Sequence, residues 1–263
     1  VSTPILIVFG VLGSSYFALS VVIILISVIT ILSGVAAWFI LSDDDGGENT
    51  AIGSLGSGLT EVVSVLKMPI VWLISIVVLA AYSAYWGTYR FTSYSTDIFS
   101  LSVVVAGAIS IGKMAMSPPS ALIAGFISDK IGIAKSVSIL FVILILSFLI
   151  FAFMPGLPLL LPFMITNIAI ASLAVFALRG IYFALLEEGG VPMTVTGTAT
   201  GFISMIGFTP DIFMPLIGGL LLDRLPTIEG YHAFFLIVAG ICTLGLVAAL
   251  MIYHIVSSSK KDK

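Results

Sequence analysis

Lys113 and Asp211 are charges set in the middle of long apolar runs. An ionised side chain at the centre of a bilayer costs at least ~2.5 kcal/mol on insertion scales, so each needs a partner, water or a task. Three chemistries suit the two residues. They can form a buried ion pair that only fixes helix packing. Lys113 can hold an anionic solute. Asp211 can take up and release a proton. Counted along the helix, Lys113 lies about 18 Å and Asp211 about 17 Å from the nearer outer end of its run. Both therefore stand near the midplane, where secondary transporters bind substrate. Asp211 sits in G-F-T-P-D-I-F-M-P, with Gly207, Pro210 and Pro215 around it, and Lys113 is followed by Pro118-Pro119. Prolines free backbone carbonyls and permit a kink.

Two further groups of residues carry potential chemistry. The stretch A-A-Y-S-A-Y-W-G-T-Y-R-F-T-S-Y contains Tyr82, Tyr85, Trp86, Tyr89 and Tyr94. Three- and four-residue spacing puts Tyr82, Tyr85 and Tyr89 on one helix face. An interfacial aromatic belt accounts for Tyr89 and Tyr94. Tyr82 and Tyr85 lie deeper and can line a cavity, while Arg90 can snorkel to the surface. Arg179 opens R-G-I-Y-F-A-L-L-E-E-G-G, with Glu187 eight residues on. In a continuous helix that spacing places the two near one face, about 12 Å apart. A third charge could bridge them; equally, Arg179 could snorkel. His232 and His254 stand at opposite ends of one run, roughly 33 Å apart, and cannot share a site. No serine–histidine–acid set, H-E-x-x-H or P-loop is present, so no enzyme activity is expected. The single cysteine, Cys242, excludes an internal disulfide and a cysteine-rich metal centre. No cofactor is expected.

The elements that must position these residues are membrane spans. The chain is 60% hydrophobic and 9% charged, against about 25% charged in a soluble domain. An all-α polytopic membrane protein follows. With a net charge of −3 and no basic patch, no nucleic-acid partner is expected. Residues 1–41 read as a helix stub broken at Gly13-Ser14-Ser15 and one span over Tyr16–Leu41. Residues 42–68, with D-D-D-G-G-E, read as a flexible linker. Six spans fill 69–256: Pro69–Arg90, Leu101–Ile127, Ser136–Phe153, Leu157–Leu186, Ala199–Leu222 and Ala233–Val256. Residues 257–263 are a tail. Lys67, Lys130, Lys135, Lys260, Lys261 and Lys263 fall on one side, and Arg90 and Arg224 on the other. The positive-inside rule then puts linker and C-terminus in the cytoplasm of a cell-membrane protein. The chain starts at Val1 without a methionine and reads as a fragment or processed chain.

One short loop links these spans to a known architecture. Gly125–Lys135 reads G-F-I-S-D-K-I-G-I-A-K. Gly125 permits close helix approach and Gly132 a positive φ, with Asp129 and Lys130 where the chain leaves the lipid. The closure G-F-I-S-D-K is echoed by G-L-L-L-D-R at Gly219–Arg224 on the opposite face, as an inverted three-plus-three repeat would place it. The pattern G-x-x-x-D-[KR]-x-G between spans resembles the loop motif of the major facilitator superfamily. The resemblance covers about Tyr16 to Val256 and implies a six-helix C-terminal half preceded by one span and a stub. It implies secondary transport of a small polar solute, an anion among the candidates, by alternating access, coupled to a proton or a counter-solute. The missing N-terminal half would supply the opposing wall of the cavity. It also implies a cytoplasmic charge network of Asp129, Arg179 and Glu187 that locks one state. The aromatic run resembles the seventh helix of organophosphate and organic-anion members. There a phosphate-binding arginine precedes an aromatic–glycine pair, whereas Tyr85 precedes Trp86-Gly87 here. A non-transporting membrane sensor or interaction protein on the same fold is the alternative.

Overall fold

A computed structural model describes residues 15–40 and 55–259, with side chains described for 20–21, 23–36 and 60–258. The proposed stub and the acidic run of the linker lie outside the described residues. The described elements are helical: α1 Ser15–Ile40, α2 Leu55–Leu66, α3 Pro69–Asp97, α4 Val103–Ala115, α5 Ser117–Ile131, α6 Ile133–Phe153, α7 Leu161–Ile181, α8 Leu185–Glu188, α9 Thr196–Gly207, α10 Pro210–Arg224 and α11 Thr227–Ser259. Among the described residues five helical segments are long and apolar enough to cross a membrane. The predicted span at Leu101–Ile127 is not one of these. It is two helices, α4 and α5, meeting at Met116.

Helix α3 is the axis of the bundle. It starts with Pro69 in its first turn, where no intrahelical N–H is needed. It runs seven residues past the predicted end at Arg90, to Asp97. One face is buried in the core through Val77, Ala80, Ala84, Gly87 and Phe91. Helix α11 packs on that face and on α6, and α6 reaches α3 through the rings of Phe148 and Phe151. Gly245 makes the approach possible: a Cβ there would stand 2.5 Å from both Ala80 Cβ and the Phe141 ring. Helix–helix contact in lipid depends on such packing, because burial from water supplies no drive between the spans. Tyr94, within a turn of the end of α3, is fully buried among Phe99, Phe151, Tyr231 and Phe235 and so faces the core, whereas a belt residue faces lipid.

Part of the predicted flexible linker is ordered as α2. Val65 is buried, Trp72 Nε1 donates to the carbonyl of Leu66 at 3.0 Å, and Thr198 donates to Glu61 at 3.2 Å. Glycine and serine composition hid this helix, whose hold comes from tertiary contacts.

Candidate functional site: a charged aromatic face at mid-bundle

The open face of α3 carries Tyr82, Tyr85, Trp86 and Tyr89, three or four residues apart. Tyr82 lies roughly 20 Å from either end of the helix. The rings touch: Tyr82 and Tyr85 centroids are 5.7 Å apart, Tyr85 and Tyr89 5.1 Å, and Trp86 and Tyr89 5.2 Å. The Tyr85 and Tyr89 hydroxyls share a 2.8 Å hydrogen bond. Phe208 closes on Tyr82 at 4.8 Å and Phe176 on Tyr85 at 6.1 Å.

Three charged side chains from three other helices meet this face. Asp211 accepts from Trp86 Nε1 at 2.8 Å and from the Tyr82 hydroxyl at 3.4 Å. Lys113 donates to the carbonyl of Thr88 at 3.0 Å and to its hydroxyl at 3.3 Å, with its ammonium 5.0 Å from the Tyr89 ring. Arg179 lays its guanidinium over Tyr85 at 4.0 Å and beside Tyr82 at 5.7 Å. Lys113 and Asp211 are therefore not an ion pair. Each uses a different stretch of α3.

Breaks in the helices put two of these charges where they stand. Pro118 and Pro119 lack N–H groups and would collide with carbonyls four residues back in a continuous helix. The chain stops α4 at Ala115 and restarts α5 with the prolines in its first turn. Lys113 thus falls in the last turn of α4, the negative end of its dipole. Likewise α9 ends at Gly207 and α10 starts at Pro210, with Asp211 in its first turn at the positive end. The prolines predicted to kink these spans mark fresh helix starts instead. Pro215 alone is inside a helix, and it has no N–H to give the carbonyl of Asp211.

The loop residues gather elsewhere. Gly132 has φ +92° and ψ 147°, a backbone conformation that only glycine tolerates well. Glu188 accepts from the backbone N–H of Ala134 at 2.6 Å, capping the start of α6. Asp129, Lys130, Gly132 and Glu188 line an open cavity of about 450 Å³ with Tyr253 and Ser257. Of the adjacent acids Glu187 and Glu188, the one that reaches this loop is Glu188. Glu187 is exposed, and Arg179 turns onto the tyrosines. The chain leaves α7 through a 3-10 turn at Tyr182–Ala184, so the eight-residue spacing no longer defines one helix face. The expected grouping of Asp129, Arg179 and Glu187 does not form. Gly125 faces open space.

This cap can be tested by stability. A Cβ at position 132 would stand 3.2 Å from the Glu188 carboxylate. Gly132→Ala is expected to cost about 1–3 kcal/mol from the backbone alone. Glu188→Ala is expected to cost about 1 kcal/mol as a lost cap. Chemical denaturation of the purified protein measures both; a Gly132→Ala variant as stable as the parent removes the strain argument.

Fold and site together define an all-α polytopic protein integral to the cell membrane. Two curated Escherichia coli proteins are similar to it. Inner membrane protein YqcE is 31% identical over 247 residues, covering 88% of this chain and 55% of its own length. Inner membrane protein YihN is 29% identical over 262 residues, covering 97% of this chain and 62% of its own length. The chain thus spans little more than half the length of these relatives. No family model matches it, and no solved structure matches it.

Proposed function

We propose that the chain is the C-terminal half of a major-facilitator-type secondary transporter, which moves a small polar solute by alternating access. The observation that carries this reading is the open α3 face. Asp211 is exposed and Tyr89 is 47% exposed, at mid-bundle depth on a chain whose outer surface is otherwise largely apolar. Ionised groups at that depth face water or protein, not lipid tails. The broken helices α4/α5 and α9/α10 support the same reading. Each is the middle span of one proposed repeat, and each ends a half-helix at a charge, as transporter binding sites are built. The coupled species is a proton held at Asp211 or a counter-solute, and the linker and C-terminus face the cytoplasm. The test is reconstitution of the full-length protein in proteoliposomes. Saturable solute flux that responds to an imposed proton or solute gradient supports the reading. Solute binding without flux under any gradient assigns the protein to sensing.

A further inference from the structure

We propose that Arg179, held on the faces of Tyr82 and Tyr85, is the residue that binds the solute, and that the solute is an organic monoanion with a ring-shaped body. The transport reading supplies the purpose of this site. The geometry stands without it.

Arg179 is the cation at this face whose neighbours are phenols and not a carboxylate or a backbone carbonyl: it lies over Tyr82 and Tyr85 and interacts with the Tyr182 hydroxyl. Lys113 is 6% exposed and committed to Thr88. Both carboxylate oxygens of Asp211 are engaged by Trp86 and Tyr82. Glu188 caps α6. The Nε of Arg179 is buried and has no hydrogen-bond partner. A tyrosine face offsets part of the cost of a desolvated cation, about 2 kcal/mol or more. It satisfies no N–H group. A guanidinium presents donors in a planar fork that matches an oxyanion bidentately. The ligand that completes this arrangement is therefore an oxyanion, a carboxylate or a sulfonate.

The surroundings narrow the class further. Asp211 hydrogen-bonds to Tyr82, whose ring Arg179 also touches. A second negative charge on the ligand would meet that carboxylate at low dielectric, so a monoanion is favoured over a dianion. Beside the guanidinium stand the rings of Tyr82, Tyr85, Tyr89 and Phe208, which offer flat apolar faces edged with hydroxyls. Such walls suit a ring-shaped body carrying the anionic group.

The experiment is ligand-induced thermal stabilisation of the detergent-solubilised full-length protein. The probes are sodium benzoate, cyclohexanecarboxylate and glucuronate, with neutral methyl glucoside and a dianionic sugar phosphate for contrast. At least one monoanion is expected to raise the melting temperature. Arg179→Gln should weaken its apparent affinity by about 10- to 100-fold, the worth of a hydrogen bond to a charged group. Arg90→Gln, which removes a cation lying over Phe234 instead, should leave the affinity unchanged. If Arg179→Gln fails to fold, Arg179→Lys and Tyr85→Leu carry the test, each with weakened binding expected. Unchanged affinity in the Arg179 variants overturns the proposal. So does stabilisation by the sugar phosphate or the glucoside alone, or by no probe. Flux measured in parallel separates the two readings. Monoanion binding that depends on Arg179 without flux removes transport and keeps the site. Flux indifferent to Arg179→Gln does the reverse.

Discussion

Asp211→Asn is expected to abolish proton-driven accumulation while leaving solute exchange down its own gradient. The side chain occupies a position suited to a proton carrier: exposed, in the first turn of α10, held at 2.8 Å by the indole N–H of Trp86. Asparagine keeps an oxygen that can accept from Trp86, so the local fold should persist. What it loses is the ability to change charge. Trp86→Phe is the companion. It removes a donor to the carboxylate, worth about 1.5–3 kcal/mol for a charged acceptor, and should lower the stability of the variant by that order in a thermal melt. The measurement is uptake into proteoliposomes with and without a pH gradient. Full accumulation by Asp211→Asn would mean that a counter-solute, not a proton at this residue, is coupled.

The fold class was legible because lipid imposes a simple rule. Spans must be apolar and about 20 residues long, and composition alone meets that condition here. What composition could not show was where a span stops being one helix. The sequence alone predicts a kink at the prolines of both charged spans. At Pro118-Pro119 and at Pro210 the missing N–H instead makes proline a helix starter, and the break falls just before it. That difference of a few residues places Lys113 and Asp211 at half-helix ends. The face formed by Tyr82 and Tyr85 followed from spacing alone, since it needs only one continuous helix. Arg179 did not follow. Spacing paired it with Glu187, but the 3-10 turn after Ile181 breaks the register. Its ring partners are Tyr85 and Tyr82, 94 and 97 positions earlier, contacts that no local pattern encodes. Glu188 was likewise hidden beside Glu187, because only the fold decides which of two adjacent acids reaches Gly132.

Lys113 gives the sharpest contrast between depth and contact. Equal depth allowed an ion pair with Asp211, in which case removing one partner would strand the other. The structure gives Lys113 a different role: it ties α4 to α3 through Thr88 and slides under Tyr89. Lys113→Ala should lose this tie and leave a void in place of the stem, at a cost of about 2 kcal/mol or more by analogy with large-to-small core changes. Lys113→Met keeps the stem and removes a buried charge that has no carboxylate partner, relieving the cost of desolvating it. It should melt at or above the parent temperature. Because Asp211 contacts Tyr82 and Trp86 while Lys113 contacts Thr88 and Tyr89, the two sites share no direct partner. The double variant Lys113→Met/Asp211→Asn should then equal the sum of the singles to within about 0.5 kcal/mol. A stabilising coupling of 2 kcal/mol or more, about the size expected when a stranded buried charge is relieved, would restore the ion pair and displace the Thr88 contact as the reason for this lysine.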